Sequence, residues 1–213
     1  HTALGELLVD GGQGEEGRSE LEQALKLKPG DSQAALLLAA YYLHASTDPN
    51  ALQRAGLLLT AAAQGKTYPA GRVYLLTGEL NNRLGKPRDA VQALLTAKRA
   101  GLDDERVEFA LTQAYSSLHD SRLAGAESRL AQLRKLMAEM LDLQNRLRGN
   151  PGNLAVRLHL GLAYLALNMP QLAIGQLGAY LSQRPSDAAA GTAYNKAIAL
   201  LKAQPPQQMP DTL

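Results

Sequence analysis

Apolar residues recur at alternating three- and four-residue intervals through one long segment of this chain, the period of one face of an α-helix. The longest such run is Leu123, Ala126, Leu130, Leu133, Met137, Met140 and, after a break at Gln144, Leu147. Leu136, Leu141 and Leu143 widen that stripe. The segment between Ser121 and Arg148 has no proline and no glycine beyond Gly125, so it predicts one long helix over about 121–148. The strict alternation of a half-buried strand is hard to find anywhere. The pattern predicts an all-α protein, with a last amphipathic helix over 188–203.

Beneath the helical period lies a longer one. Leu4-Gly5 is followed by Leu8, Gly12, Gly17, Ala24 and Pro29, at +3, +7, +12, +19 and +24 from the glycine. Leu160-Gly161 is followed at the same offsets by Tyr164, Asn168, Ala173, Tyr180 and Pro185. Gly78 opens a third copy with Gly85, Ala90 and Ala97, and Ala39 and Thr112 open two weaker ones with Tyr42 and Tyr115 at +3. Each offset has a physical reason. Small residues at 0, +12 and +19 let two antiparallel helices approach closely, and the large residue at +3 is expected to fill the gap they leave. Gly or Asn at +7 accepts the left-handed conformation that ends a helix. Proline at +24 stops the second helix, whereas Pro87 and Pro170 sit near a first helical position, where proline is tolerated.

This pattern resembles the tetratricopeptide repeat family, with Leu160-Gly161, Tyr164, Ala173 and Pro185 the fullest match. Leu4-Gly5 is close, with Gly17 where alanine is usual, and the third copy has Thr77 for Leu and Asn81 for the aromatic. The resemblance covers about residues 1 to 187. It implies a right-handed superhelical solenoid of antiparallel helix pairs, about five repeats with the final helix as a cap. The anchors 5, 39, 78, 112 and 161 are 34, 39, 34 and 49 residues apart, against a family period of about 34. One insertion is therefore expected near Ser46 to Asn50, with Asp48-Pro49 as a capping turn, and a larger one within the long helix. The apolar stripe of that helix either packs under the neighbouring repeat or forms a protruding arm that pairs with another chain. The expected organisation is one repeat domain over 1–203 followed by a disordered tail over 204–213. The chain opens in mid-helix at His1, so residues are expected ahead of it.

Composition narrows the chemistry. Net charge is +2, with basic residues dispersed, too little to draw nucleic acid or an anionic membrane by field alone. Without cysteine there is no thiolate metal site, iron–sulfur cluster or cysteine nucleophile. The longest apolar stretch, Ala34 to Leu43, is half of the ~20 residues a membrane helix needs. The stretch Gly12-Gln13-Gly14-Glu15-Glu16-Gly17 spells a dinucleotide-binding motif, but two glutamates in the following turn would repel a phosphate, and the repeat register already accounts for Gly12 and Gly17. His44, His119 and His159 show no metal-ligand spacing. No catalytic residue, metal site or cofactor is expected. The compartment, cytoplasmic or periplasmic, stays open.

The resemblance implies instead a concave face lined by the first helix of each repeat. On it fall Arg72, Leu75, Glu79, Asn82 and Arg83, then Arg106, Phe109, Gln113 and Ser116, then His159, Leu162 and Leu165. Arg72, Asn82 and Arg106 form either a polar pocket for a carboxylate or peptide backbone, or a merely solvated face. The lysine- and asparagine-rich clamp of chaperone-binding members is missing. The expected function is a protein-interaction scaffold or assembly subunit that binds a protein or peptide partner through the concave groove, the long helix over 121–148, or both, alone or as a subunit of a larger complex. The alternative is the substrate-recruiting array of a larger enzyme, such as a glycosyltransferase.

Overall fold

The computed structural model describes residues 1–46, 50–65 and 70–203. Asp48-Pro49 and the tail over 204–213 lie outside the described residues. Eleven α-helices and no strands occur among the described residues: α1 (Thr2–Asp10), α2 (Gly14–Leu27), α3 (Ser32–His44), α4 (Ala51–Gln64), α5 (Ala70–Arg83), α6 (Pro87–Arg99), α7 (Glu105–Leu118), α8 (Leu123–Gly149), α9 (Leu154–Ala166), α10 (Pro170–Leu181) and α11 (Ala188–Ala203). They form two compact units. The first comprises His1–Leu102 and Phe109–Leu123, and the second comprises Asp103–Glu108 and the described residues from Ala124 onward. In the first unit, α1 pairs with α2, α3 with α4 and α5 with α6. In the second, α9 pairs with α10, and α11 packs on both.

The helix ends follow the repeat register. Asp31 caps α3 by accepting the Gln33 and Ala34 amides, Asp104 accepts that of Val107, and Asn153 caps α9 through Val156. All three lie eight residues before their anchors. The +7 residues Gly12, Gly85, His119 and Asn168 all have positive φ, between 51° and 83°. Each closes the same double bond pattern. The amide of the +7 residue donates three residues back, and the next amide donates five residues back, as Gln13 to Leu8 and Met169 to Tyr164 do. Glycine adopts this conformation without strain. Asn168 tolerates it, and His119 holds it at a cost. Pro87 and Pro170 open α6 and α10.

Close approach within each pair rests on one recurring contact. A Cβ added at Gly5 would come within 2.7 Å of Leu21 Cγ, at Gly78 within 2.5 Å of Leu94 Cγ, and at Gly161 within 2.7 Å of Leu177 Cγ. Leu21, Leu94 and Leu177 all stand at +16 and are fully buried. At the second anchor both partners are alanine, Ala39 and Ala55, again fully buried. The gap-filler facing the anchor is therefore the +16 leucine and not the +3 residue. The +3 tyrosines reach elsewhere: Tyr42 donates to Glu22 of α2, and Tyr164 receives the Gln144 amide of α8 at 2.8 Å. Each ring is buried, and its hydroxyl is satisfied by the helix that precedes it in the chain.

That bond also accounts for the break at Gln144 in the α8 stripe. Ala126, Leu130, Leu133 and Leu143 of the stripe are buried, and Leu143 joins Val156, Leu160 and Leu177 in the core of the second unit. Met140 and Leu147 pack against the same core, while Met137 and Leu141 remain exposed. Arg129 and Arg134 pair with Asp103 and Glu105. The stripe is thus core along most of its length and does not form a wholly protruding arm.

The glycine contacts set opposite expectations for two alanine substitutions. Gly78→Ala forces the Cβ into the buried Leu94 and should cost about 1–3 kcal/mol in urea denaturation. Gly175→Ala on α10, where an added Cβ meets nothing within 4 Å, should instead stabilise by about 0.5–1 kcal/mol. A pH dependence is expected at Asp187, whose carboxylate accepts the Ala190 amide and the Tyr180 hydroxyl. These bonds, the amide foremost, hold its pKa below the ordinary carboxylate range. The stabilisation is present above the unfolded carboxylate pKa of about 3.9 and is lost as pH falls through the lower folded value. Asp187→Asn should flatten that part of the acid-unfolding curve followed by circular dichroism.

Candidate functional site

The first helices of successive repeats in the first unit, α1, α3, α5 and α7, are tied to one another by polar side chains. Gln33 of α3 donates to Glu6 of α1 at 3.2 Å. His44 of α3 meets Glu79 of α5 at 3.1 Å. Arg83 of α5 donates to the Leu43 carbonyl, and Asn82 donates to the Ala110 carbonyl of α7 at 2.8 Å. A side chain that ends on a main-chain carbonyl fixes one helix against the next, because few placements satisfy the donor.

The residues expected to line a binding face therefore divide by what they do. Glu79, Asn82 and Arg83 join neighbouring helices of the first unit. Arg72 is exposed and lies two helical turns before Glu79, on the same side of α5. Phe109 and Gln113 are one turn apart on α7 and exposed, Phe109 at 47%. Arg106 is exposed at the start of α7, in the residues assigned to the second unit. Leu75 is buried at 3%, so it belongs to the core and lines no face. Ser116, His159 and Leu162 are exposed, and Leu165 is partly buried against the core of the second unit.

A further surface shares one residue, Leu162, with that set. On α9, Ala155, Leu162 and Ala166 are exposed, and exposed Met169 follows at the turn into α10. Its signal is present in the sequence, since Leu154–Ala166 reads LAVRLHLGLAYLA, apolar on nearly every side. A helix apolar all round is buried all round or leaves an apolar face uncovered. Tyr41 donates to Glu15, which holds the Glu15 carboxyl below its usual range and raises the Tyr41 phenol. Arg122 donates twice to Asp120, which brings that carboxyl down to about 2. Among the described residues no group of three or more His, Asp or Glu could hold a metal ion. No helix among them is long and apolar enough to cross a membrane.

No protein-family model and no curated protein matches this chain. Solved structures similar to it include the following three. A thermophilic tetratricopeptide protein of Thermus thermophilus, TTC0263, is 20% identical over 92% of this chain and 96% of its own, with a TM-score of 0.49. MamA is 16% identical over 94% and 95%, with a TM-score of 0.45. A chain of the APC/C hetero-tetramer Cut9–Hcn1 is 19% identical over 92% of this chain and 42% of its own, with a TM-score of 0.46. The chain's own register carries the fold: helical pairs with a small residue opposite a +16 leucine, a left-handed +7 cap and a polar cap at −8 are antiparallel helix-pair repeats.

If Asn82 is a tie between helices, Asn82→Ala should lower stability by about 0.5–1.5 kcal/mol in chemical denaturation. An unchanged midpoint would show that the bond to Ala110 contributes nothing to the fold.

Proposed function

We propose that this chain is a protein-interaction scaffold that holds a protein or peptide partner on the exposed first-helix face of α5 and α7. The observation that supports this most is Phe109. It is the one phenylalanine in the sequence, and it stands 47% exposed with Gln113 beside it one turn on. A large rigid ring with a neighbouring amide is the kind of anchor that carries binding energy at protein interfaces. Glu79, Asn82 and Arg83 then serve by holding α3, α5 and α7 in place, and Arg72 supplies charge for a carboxylate or backbone carbonyl of the partner.

The test is a tagged pull-down from the native source with mass-spectrometric identification, comparing the wild type with Phe109→Ala/Gln113→Ala and with Arg72→Ala. The aromatic variant should lose the partner at unchanged thermal stability, and the arginine variant should retain it weakly. A partner that survives the aromatic change removes this face from consideration.

A further inference from the structure

The register allows the same position to be compared from repeat to repeat. On the second helices, +8, +11 and +14 from the anchor point away from the buried +12 and +16 residues. In α2 these positions are Gln13, Glu16 and Ser19, and in α6 they are Lys86, Asp89 and Gln92, all exposed and all polar. In α4 the last two are Asn50 and Gln53, exposed and polar as well. Further helices follow each of these three, and the positions stay exposed, so outward placement is a property of the repeat. In α10 the same positions hold Met169, Leu172 and Gly175, also exposed, Met169 at 38% and Leu172 at 51%. Ala179 at +18, half-buried, continues the stripe. An apolar surface stands here where the other second helices carry polar side chains.

Two features suit this face to a second copy of itself. The first is charge. A two-fold axis sets each group near it against its own copy, and like charges so placed repel, as Glu16 of α2 or Asp89 of α6 would. Pro170–Leu181 has no charged side chain. Arg157 of α9 reaches Gln176, but it also donates to the Pro151 carbonyl at 2.7 Å and is held on its own chain. The second feature is shape. Leu172 and Ala179 lie equally far from the helix midpoint, which falls between Gly175 and Gln176. An antiparallel copy therefore places each Leu172 on the other copy's Ala179, large on small, with both Gly175 residues at the crossing. A Cβ added at Gly175 meets nothing within 4 Å, so no contact within the chain uses its missing side chain. Glycine at the crossing brings two axes to the near end of the usual ~8–10 Å separation.

We infer that a second copy of this chain is the occupant: two α10 helices pack antiparallel about a two-fold axis at Gly175. The contact is made by the same patch on both copies, so assembly closes at the dimer. One helix pair buries less than the about 1,200 Å² of a standard interface, so the dimer is weak and forms with rising concentration. This rests on other residues than the partner-binding reading above and stands or falls without it.

Sedimentation equilibrium over a concentration series tests it, with circular dichroism to verify helix content. The wild type should pass from monomer to dimer and no further. Gly175→Gln fills open space in its own chain, so it should keep or raise the thermal midpoint while weakening dimerisation roughly tenfold or more. Leu172→Glu/Ala179→Glu and Leu172→Lys/Ala179→Lys should each stay monomeric alone. An equimolar mixture of the two should dimerise, because every glutamate then faces a lysine. Should a charge variant lose helix content, Gly175→Gln decides alone. The inference is overturned by a wild type that stays monomeric or grows past the dimer, by a folded Gly175→Gln that dimerises like the wild type, or by folded charge variants whose mixture remains monomeric.

Discussion

Everything in this architecture depends on how closely the two helices of a repeat can approach. Three times the crossing point is a glycine pressed against a buried leucine sixteen residues later, and the hydrogen atom of the glycine is the only substituent that fits. The alanine pair Ala39–Ala55 meets the same requirement with two small side chains in place of one large and one absent. Interiors packed to crystal density leave no slack for a methyl group at such a point. The approach distance in turn sets which residues of the first helix are buried against the second and which remain for the outer face.

With the crossings set, polar groups decide how one repeat sits on the next within the first unit. Asn82 and Arg83 end on main-chain carbonyls, His44 meets Glu79, and Tyr42 meets Glu22. Such bonds are directional where apolar packing is not, so they select one arrangement among several of similar buried area. Side chains committed in this way position a surface rather than constitute it. Phe109 of α7 and Leu162 of α9, by contrast, are exposed.

Much of the fold is legible in the sequence because helix ends and crossings depend on local chemistry. Gly12, Gly85 and Asn168 read as left-handed caps, since those residue types tolerate positive φ. His119 does not, because nothing about histidine announces that conformation; only its offset from Thr112 does. The +3 tyrosines are visible as large residues, and spacing suggests that they fill the gap at the crossing, whereas Tyr42 and Tyr164 reach the helix before. Whether a side chain faces its own repeat or the previous one is a matter of helix rotation, which spacing alone leaves undetermined. Gln144 reads as a flaw in an apolar stripe, and only the Tyr164 hydroxyl opposite it gives the position its purpose.

The candidate site shows the same division more sharply. From sequence alone follow the helix-pair repeat, its anchors and the left-handed caps, because these arise from periodicity and from the backbone limits of glycine, proline and asparagine, whereas the shared face is what the family resemblance implies. Tertiary structure alone decided that Leu75 is core, and that Asn82 and Arg83 are bound to carbonyls 28 and 40 residues away in sequence. The reason is physical. Periodicity says which side chains point the same way, but burial and hydrogen bonding depend on what another part of the chain places in front of them.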